Sequence, residues 1–214
     1  MRVVAGEFKG RKIDMVPDEG TRPTSEMVRE AFASSVLSKR NGGFEGAKVL
    51  DAFAGSGAVG IEALSRGAAT CTFIDSNQKA IATIESNLGQ LPMENSRYKV
   101  VHSDSLDSFS TTRDGRGVCI FPGGPFDIVF LDPPYAIEPN RVCSFVRSMG
   151  ETGGLEDGSL IAYETPCKKF KKLKKKDPIP EDILQMLEIL GDGFSLMGVK
   201  GYGNTRIVYF GYSK

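Results

Sequence analysis

The sequence has one histidine, His102, which excludes any chemistry that needs a pair of imidazoles. Its four cysteines, Cys71, Cys119, Cys143 and Cys167, are scattered, with no C-x-x-C pair. That pattern speaks against a disulfide framework or a zinc site and for reduced thiols in the cytoplasm, and no metal is expected. No run approaches the roughly 18 apolar residues a bilayer span requires, so no membrane association is expected. The opening MRVVAGEFKGRK lacks the apolar stretch of a secretory leader. Net charge is also missing, with 27 basic against 27 acidic residues. The zero hides an uneven spread. Residues 163–176 carry seven lysines and one acid, whereas residues 41–162 carry nine basic and fifteen acidic residues. A basic face on an acidic body leaves nucleic acid open as a partner, neither excluded nor shown by charge.

What is present fits a chain of 214 residues forming one large domain, or one domain with a small appendage. Residues 2–5 and 11–15 read as a short hairpin turned around Gly6 to Gly10. Thr24 or Ser25 can cap a helix whose apolar positions Met27, Val28, Ala31, Phe32, Ser35 and Val36 recur at helical spacing. Asn41-Gly42-Gly43 ends it.

From Lys48 the pattern changes to short apolar runs, KVLDAF, CTFID, YKVVHSD, FDIVFLD and SLIAYE, read as buried strands. IEALSRGA and QKAIATIESNLGQL read as helices between the first of them. This alternation predicts an α/β fold with a parallel sheet covered on both faces. The terminal FSLMGVKGYGNTRIVYFGYS predicts an antiparallel hairpin turned at Gly201-Tyr202-Gly203-Asn204. The Gly- and Pro-rich residues 111–125 read as a mobile excursion between core elements.

The strongest local signal is Asp51-Ala52-Phe53-Ala54-Gly55-Ser56-Gly57, after a strand and before a helix. Glycines there let the backbone approach a ligand closely, and Gly60 falls where the helix should pack on the sheet. The loop lacks the G-K-[ST] of a nucleoside triphosphate loop. An acid at its start suits a ligand with an ammonium group, as methionine-type cofactors have, and would repel a dinucleotide pyrophosphate. Asp75, at the next strand end, is placed to accept from ribose hydroxyls, and Asp104 after the third strand from an adenine amino group. Any one of these acids alone reads more often as a helix cap or turn former; three at successive strand ends, one beside a glycine loop, point to a nucleoside cofactor.

Asp132-Pro133-Pro134-Tyr135 follows the strand FDIVFL. Pro-Pro cannot continue a ladder, so the chain leaves the sheet at its carboxyl edge, where open α/β sheets bind ligands. The Asp132 carboxylate and the Pro133 carbonyl can each accept one proton of an amino group. Drawn toward tetrahedral geometry, the amine frees its lone pair to attack a sulfonium methyl. Prolines hold such acceptors in place before reaction, and Tyr135 offers a face for base stacking, worth about 1–3 kcal/mol. The bland alternative is a strand-ending turn.

AGEFKGRKI, TRPTSEMVREAFAS, LDAFAGSGAVGIEALSRGA and FLDPPY, in that order, resemble the RsmD family of small-subunit rRNA guanine-N2 methyltransferases. The glycine loop and DPPY mark the wider group of amino methyltransferases; the two N-terminal segments mark the family. The resemblance implies a Rossmann-like class I methyltransferase. Its sheet would have seven strands, mostly parallel, with a C-terminal antiparallel hairpin. An N-terminal hairpin–helix extension, residues 1–44, would precede a catalytic domain, residues 45–214. It implies S-adenosyl-L-methionine held by the loop from Asp51 through Phe53, Ala54, Gly55, Ser56 and Gly57, by Asp75 at the ribose and by Asp104 at the adenine. Asp132, Pro133, Pro134 and Tyr135 would present the guanine N2; family members often carry Phe at the last position, and either ring stacks. Lys9, Arg11, Lys12, Arg22 and Arg29 would contact 16S rRNA, in a partly or fully assembled 30S subunit, with monomer as the default state. For these cations the alternative is a solvated face, with Arg22 in a structural salt bridge. The lysine run at residues 168–176 departs from the family pattern and reads either as extra grip on phosphates or as a solvated segment.

Three other functions share parts of this pattern. A DNA amino methyltransferase would need a target-recognition region for which little chain remains. Protein glutamine methylation favours Asn where Asp132 stands. A noncatalytic assembly factor would not need Asp51, Gly55, Gly57, Asp132 and Tyr135 intact.

Overall fold

The structure, a computed structural model, describes residues 1–17, 26–107, 109–111, 117–119, 122–167 and 177–214, with the backbone alone at 109–111 and 117–119. The Thr24/Ser25 cap, Arg22 and the lysine run lie outside the described residues.

The runs KVLD, TCTFID, YKVVH and FDIVFL form parallel strands β1 (Lys48–Asp51), β2 (Thr70–Asp75), β3 (Tyr98–His102) and, after two short ones, β6 (Phe126–Leu131). The short strands β4 (Phe109–Thr111) and β5 (Gly117–Cys119) pair antiparallel, so residues 111 and 117–119 of the expected excursion belong to a two-stranded sheet. The long β7 (Leu155–Pro166) lies parallel to β6, and the hairpin β8 (Phe194–Tyr202) and β9 (Thr205–Tyr212) adds antiparallel. The resulting seven-stranded sheet runs β3-β2-β1-β6-β7-β9-β8. Its strand order reverses beside β1, between β1 and β6, the point at which α/β sheets bind ligands. The terminal hairpin turns at Gly203-Asn204, a tighter turn than the spacing predicts.

One face carries α1 (Glu26–Lys39), α2 (Ala58–Ser65) and α3 (Gln78–Gly89), the other α4 (Pro139–Glu151) and α5 (Glu181–Leu190). Alternation along the central strands supplies both cores. Val49, Phe73, Ile128 and Phe130 face the first set of helices, while Leu50, Ile74, Val129 and Leu131 face the second. The N-terminal segment joins the first core through Val3, Phe8 and Ile13. Its hairpin connectivity is held by Val3 N–H donating to the Arg11 carbonyl and Ile13 N–H to that of Met1. In ladder terms it amounts to one bridge, Arg2 to Lys12. On α1, Met27 is exposed whereas the other expected apolar positions are buried.

Gly60 fills the packing role expected of it. A Cβ there would lie 2.2 Å from the Phe73 ring and 2.6 Å from Cys71 Sγ, so only glycine lets α2 rest this close to β2. Gly60→Ala is expected to lower unfolding stability by about 1–3 kcal/mol, the cost typical of overpacking, read from a denaturant titration. An unchanged midpoint would show that the helix can shift at no cost.

Candidate functional site

The glycine loop leaves β1 at its carboxyl end and is pinned between neighbouring strands. Ala52 N–H donates to the Phe130 carbonyl on β6 at 3.1 Å, and Ala54 N–H to that of Ile74 on β2 at 2.9 Å. Gly55 and Gly57 both adopt left-handed backbone, φ 53° and 78°. A Cβ on Gly55 would meet nothing within 4 Å, so this backbone faces open space, as a ligand cradle requires. Phe53 and Ser56 are half-buried beside it.

Asp75 organises the cradle with both carboxylate oxygens. Oδ2 accepts from Gly55 N–H and Oδ1 from Asn77 N–H, each at 2.8 Å. A carboxylate has about four acceptor sites, so both oxygens keep capacity for a ligand hydroxyl. Asp104, exposed after β3, accepts the Leu106 amide at 2.9 Å. The same turn is tied to the glycine loop by Ser105 Oγ, which donates to the Ala52 carbonyl.

Asp51 is buried. Its Oδ2 accepts from Gly60 N–H at 3.0 Å, while Oδ1 is buried without a hydrogen-bond partner. Burial raises its carboxyl to about 7 against the pull of the Gly60 amide, and the charges of Asp132 and Asp75 push the same way as burial. Below that value and above the ordinary carboxylate range, the folded chain holds a proton that the unfolded chain lacks. This group therefore costs stability progressively as pH rises toward 7. A cationic ligand group reverses the preference by favouring the carboxylate. The orphaned Oδ1 and the open, left-handed loop fit a nucleoside bearing an ammonium group.

Asp132 follows β6 at the same sheet edge and is near enough to raise Asp51 electrostatically. Pro133 is buried, Pro134 and Tyr135 are exposed, and Tyr135 retains 57% of its surface. Ile137 N–H donates to the Pro134 carbonyl at 2.9 Å, which turns the chain sharply toward α4. The structure thus brings Asp51, Asp75 and Asp132 together around the glycine loop, with Tyr135 exposed three residues beyond Asp132.

Of the expected cationic contacts, Lys9, Arg11 and Lys12 are exposed on the N-terminal segment, and Lys12 pairs with Asp14 at 2.7 Å. Arg29 does not belong with them. It is fully buried on α1, donates to the Arg2 carbonyl at 3.0 Å and feels the charges of Glu62 and Glu26. The expectation of a nucleic-acid contact there is corrected to an internal clamp on the N-terminal segment, because the buried guanidinium is already engaged by the Arg2 carbonyl and Met1 Sδ.

Several polar residues at the site escaped the sequence reading. Glu164 is buried on β7 one residue beyond Tyr163, the partner of Leu131, which sets it laterally beside Asp132; it accepts from Thr205 Oγ1 at 3.0 Å. Its signal was its place at the end of SLIAYE. Glu62 and Ser65 on α2 fasten the N-terminal turn. Glu62 accepts Val4 N–H at 2.8 Å and Ala5 N–H at 3.1 Å, and Ser65 Oγ accepts Phe8 N–H at 2.9 Å. Both lie within the motif LDAFAGSGAVGIEALSRGA, but their partners on the N-terminal segment are 57 and 58 residues away in the chain. Among the described residues no cluster of potential metal ligands occurs, and no helix is long and apolar enough to cross a membrane.

Residues 1–178 match the model of the family described as Conserved hypothetical protein 95. YlbH of Bacillus subtilis is 32% identical over 202 residues, 94% of this chain and 98% of that protein. Ribosomal RNA small subunit methyltransferase D of Escherichia coli is 33% identical over 165 residues, 77% of this chain and 74% of that one. Among solved structures, yhhF of Escherichia coli superposes with a TM-score of 0.71 at 26% identity, covering 100% of this chain and 98% of that one.

Proposed function

The chain belongs to the RsmD family, and from that membership we propose that it methylates ribosomal RNA, at the exocyclic N2 of a guanine in 16S rRNA. S-adenosylmethionine is the cofactor. When bound, it supplies an electrophilic methyl on a sulfonium.

The observation that carries this reading is the meeting of Asp132-Pro133-Pro134-Tyr135 with the Asp51–Gly57 loop and Asp75 at one sheet edge. Asp51 holds the cofactor's ammonium, Asp75 the ribose and Asp104 the adenine amine, while Phe53, Ala54 and Ser56 shape the wall. Asp132 would accept a hydrogen bond from one N2–H and the Pro133 carbonyl from the other, which localises the nitrogen lone pair for attack on an electrophilic methyl; the one N2 proton released on alkylation would leave by way of the Asp132 carboxylate to solvent. The buried Pro133 limits how far these acceptors can move, so little reorganisation is left to the reaction itself. Tyr135 stacks on the extruded base, offsetting the few kcal/mol of unstacking. Lys9, Arg11 and Lys12 on residues 1–44 touch phosphates in the 30S particle, and residues 45–214 carry the catalysis in a monomer acting in the cytoplasm.

The reading is tested with a target RNA in which inosine, which lacks the N2 amine, replaces the target guanosine. Methyl transfer is expected to vanish; transfer at the wild-type rate would place the methyl on another atom.

Asp51 makes the cofactor step pH-dependent. An ammonium favours the ionised carboxylate, so affinity is expected to fall by up to about tenfold per pH unit as pH drops below about 7. Asp51→Asn should flatten this acid limb, as isothermal titration across about pH 5.5–7.5 would read, a range in which the ligand's amine stays largely protonated. A slope surviving in Asp51→Asn would assign the dependence to another group.

A further inference from the structure

One side chain joins the N-terminal segment to the cofactor loop. Asn87, on the last turns of α3, is fully buried. Its Oδ1 accepts Asp14 N–H at 2.8 Å, and its Nδ2 donates to the Asp14 carbonyl at 3.0 Å. The same Nδ2 donates to the carbonyl of Ser56, between the two left-handed glycines, at 2.9 Å. Asp14 in turn pairs with Lys12, one of the exposed cations of the segment. A shift of the loop backbone at Ser56 therefore moves an amide whose other bonds hold the backbone of Asp14, two residues beyond Lys12. The surroundings transmit such a shift. Ile84, one turn earlier on α3, lies against Gly57, where a Cβ would sit 3.3 Å from its side chain. By contrast, the turn at Val4 to Phe8 is fastened to α2 through Glu62 and Ser65, a separate set of bonds.

We propose that Asn87 is a positioning residue that couples cofactor binding at the glycine loop to RNA binding on the N-terminal segment. This rests on the rRNA methyltransferase reading above. Ordering the loop around a ligand fixes the Ser56 carbonyl, which fixes the Asn87 amide and with it the Asp14 backbone. RNA held by Lys12 and its neighbours orders the same bonds from the other side. By linkage, each ligand tightens the other by the same factor.

The test uses S-adenosylhomocysteine as a non-reactive probe and 30S particles as the RNA. Its affinity is measured with and without the particles, in the wild type and in Asn87→Ser, which frees the Ser56 carbonyl and leaves room for water. The wild type is expected to bind the probe about 5-fold more tightly in the presence of particles, a coupling at the low end of the usual range, and Asn87→Ser should bring that ratio to about one. A purely structural role would weaken both affinities and leave the ratio unchanged, which would overturn the proposal. A second measurement needs no variant. Saturating S-adenosylhomocysteine should slow hydrogen exchange at the Asp14 amide several-fold while leaving the Val4 and Ala5 amides unaltered. Equal exchange at Asp14 with and without the probe would also overturn it. Binding of both partners with a ratio of one would defeat the coupling alone, whereas absence of binding by the probe or the particles would defeat the enzyme reading beneath it.

Discussion

Asp132→Ala is expected to lower the rate of methyl transfer by about 10²–10³-fold, the loss typical when a preorganised electrostatic group is removed from a reacting centre. The carboxylate stands at the end of β6 beside the glycine loop, and its position is set by the sheet on one side and the buried Pro133 on the other. The Pro133 carbonyl alone accepts only one of the two amine protons, so the nitrogen lone pair stays conjugated with the ring. Cofactor affinity should be nearly unchanged, because Asp132 acts on the base. A small gain is even expected, since removing its charge eases ionisation of Asp51. Single-turnover kinetics and equilibrium titration separate the two effects. A loss of only a few-fold in rate would sink the two-acceptor account.

Asp75→Ala should act on the other half of the site, weakening cofactor binding by at least about 10²-fold. Hydrogen bonds to a charged group contribute about 1.5–3 kcal/mol each, and the ribose takes two. The loop also suffers, because Gly55 N–H and Asn77 N–H lose their shared acceptor. At saturating cofactor the rate should recover most of its wild-type value, in contrast to Asp132→Ala, where added cofactor has no effect. Titration of the variant with S-adenosylhomocysteine checks this. Affinity within a few-fold of wild type would mean the ribose is held elsewhere.

Much of this site was legible in the sequence because its parts are local. A buried parallel strand announces itself as a continuous apolar run, and the residue that ends it stands at the ligand edge whatever lies elsewhere in the chain. Asp51, Asp75 and Asp132 could therefore be placed from the runs KVLD, TCTFID and FDIVFL. Gly60 was readable for the same reason, being set by the helix that follows the loop.

Residues whose roles depend on distant partners were not legible. Arg29 sits on α1 at a position that reads as surface, and it is buried because the Arg2 carbonyl and the charge of Glu62 meet it in the fold. Asn87 looks like one more polar residue in an amphipathic helix until Asp14, 73 residues away, and Ser56, 31 residues away, close on it. The helices α4 and α5 were missed for another reason. Val142, Phe145, Val146 and Met149, and Ile183, Met186 and Leu190, do recur at helical spacing. Each helix, however, starts at a proline beside an irregular stretch, and neither continues the strand–loop pattern that drew attention to α2 and α3.

The most direct test of the account is transfer of labelled methyl from S-adenosylmethionine to 30S particles taken from a strain lacking the family's enzyme, followed by nucleoside analysis of the 16S rRNA. N2-methylguanosine as the labelled nucleoside, absent with Asp132→Ala, is the predicted result. Label on any other nucleoside, or no transfer despite measurable cofactor binding, would contradict it.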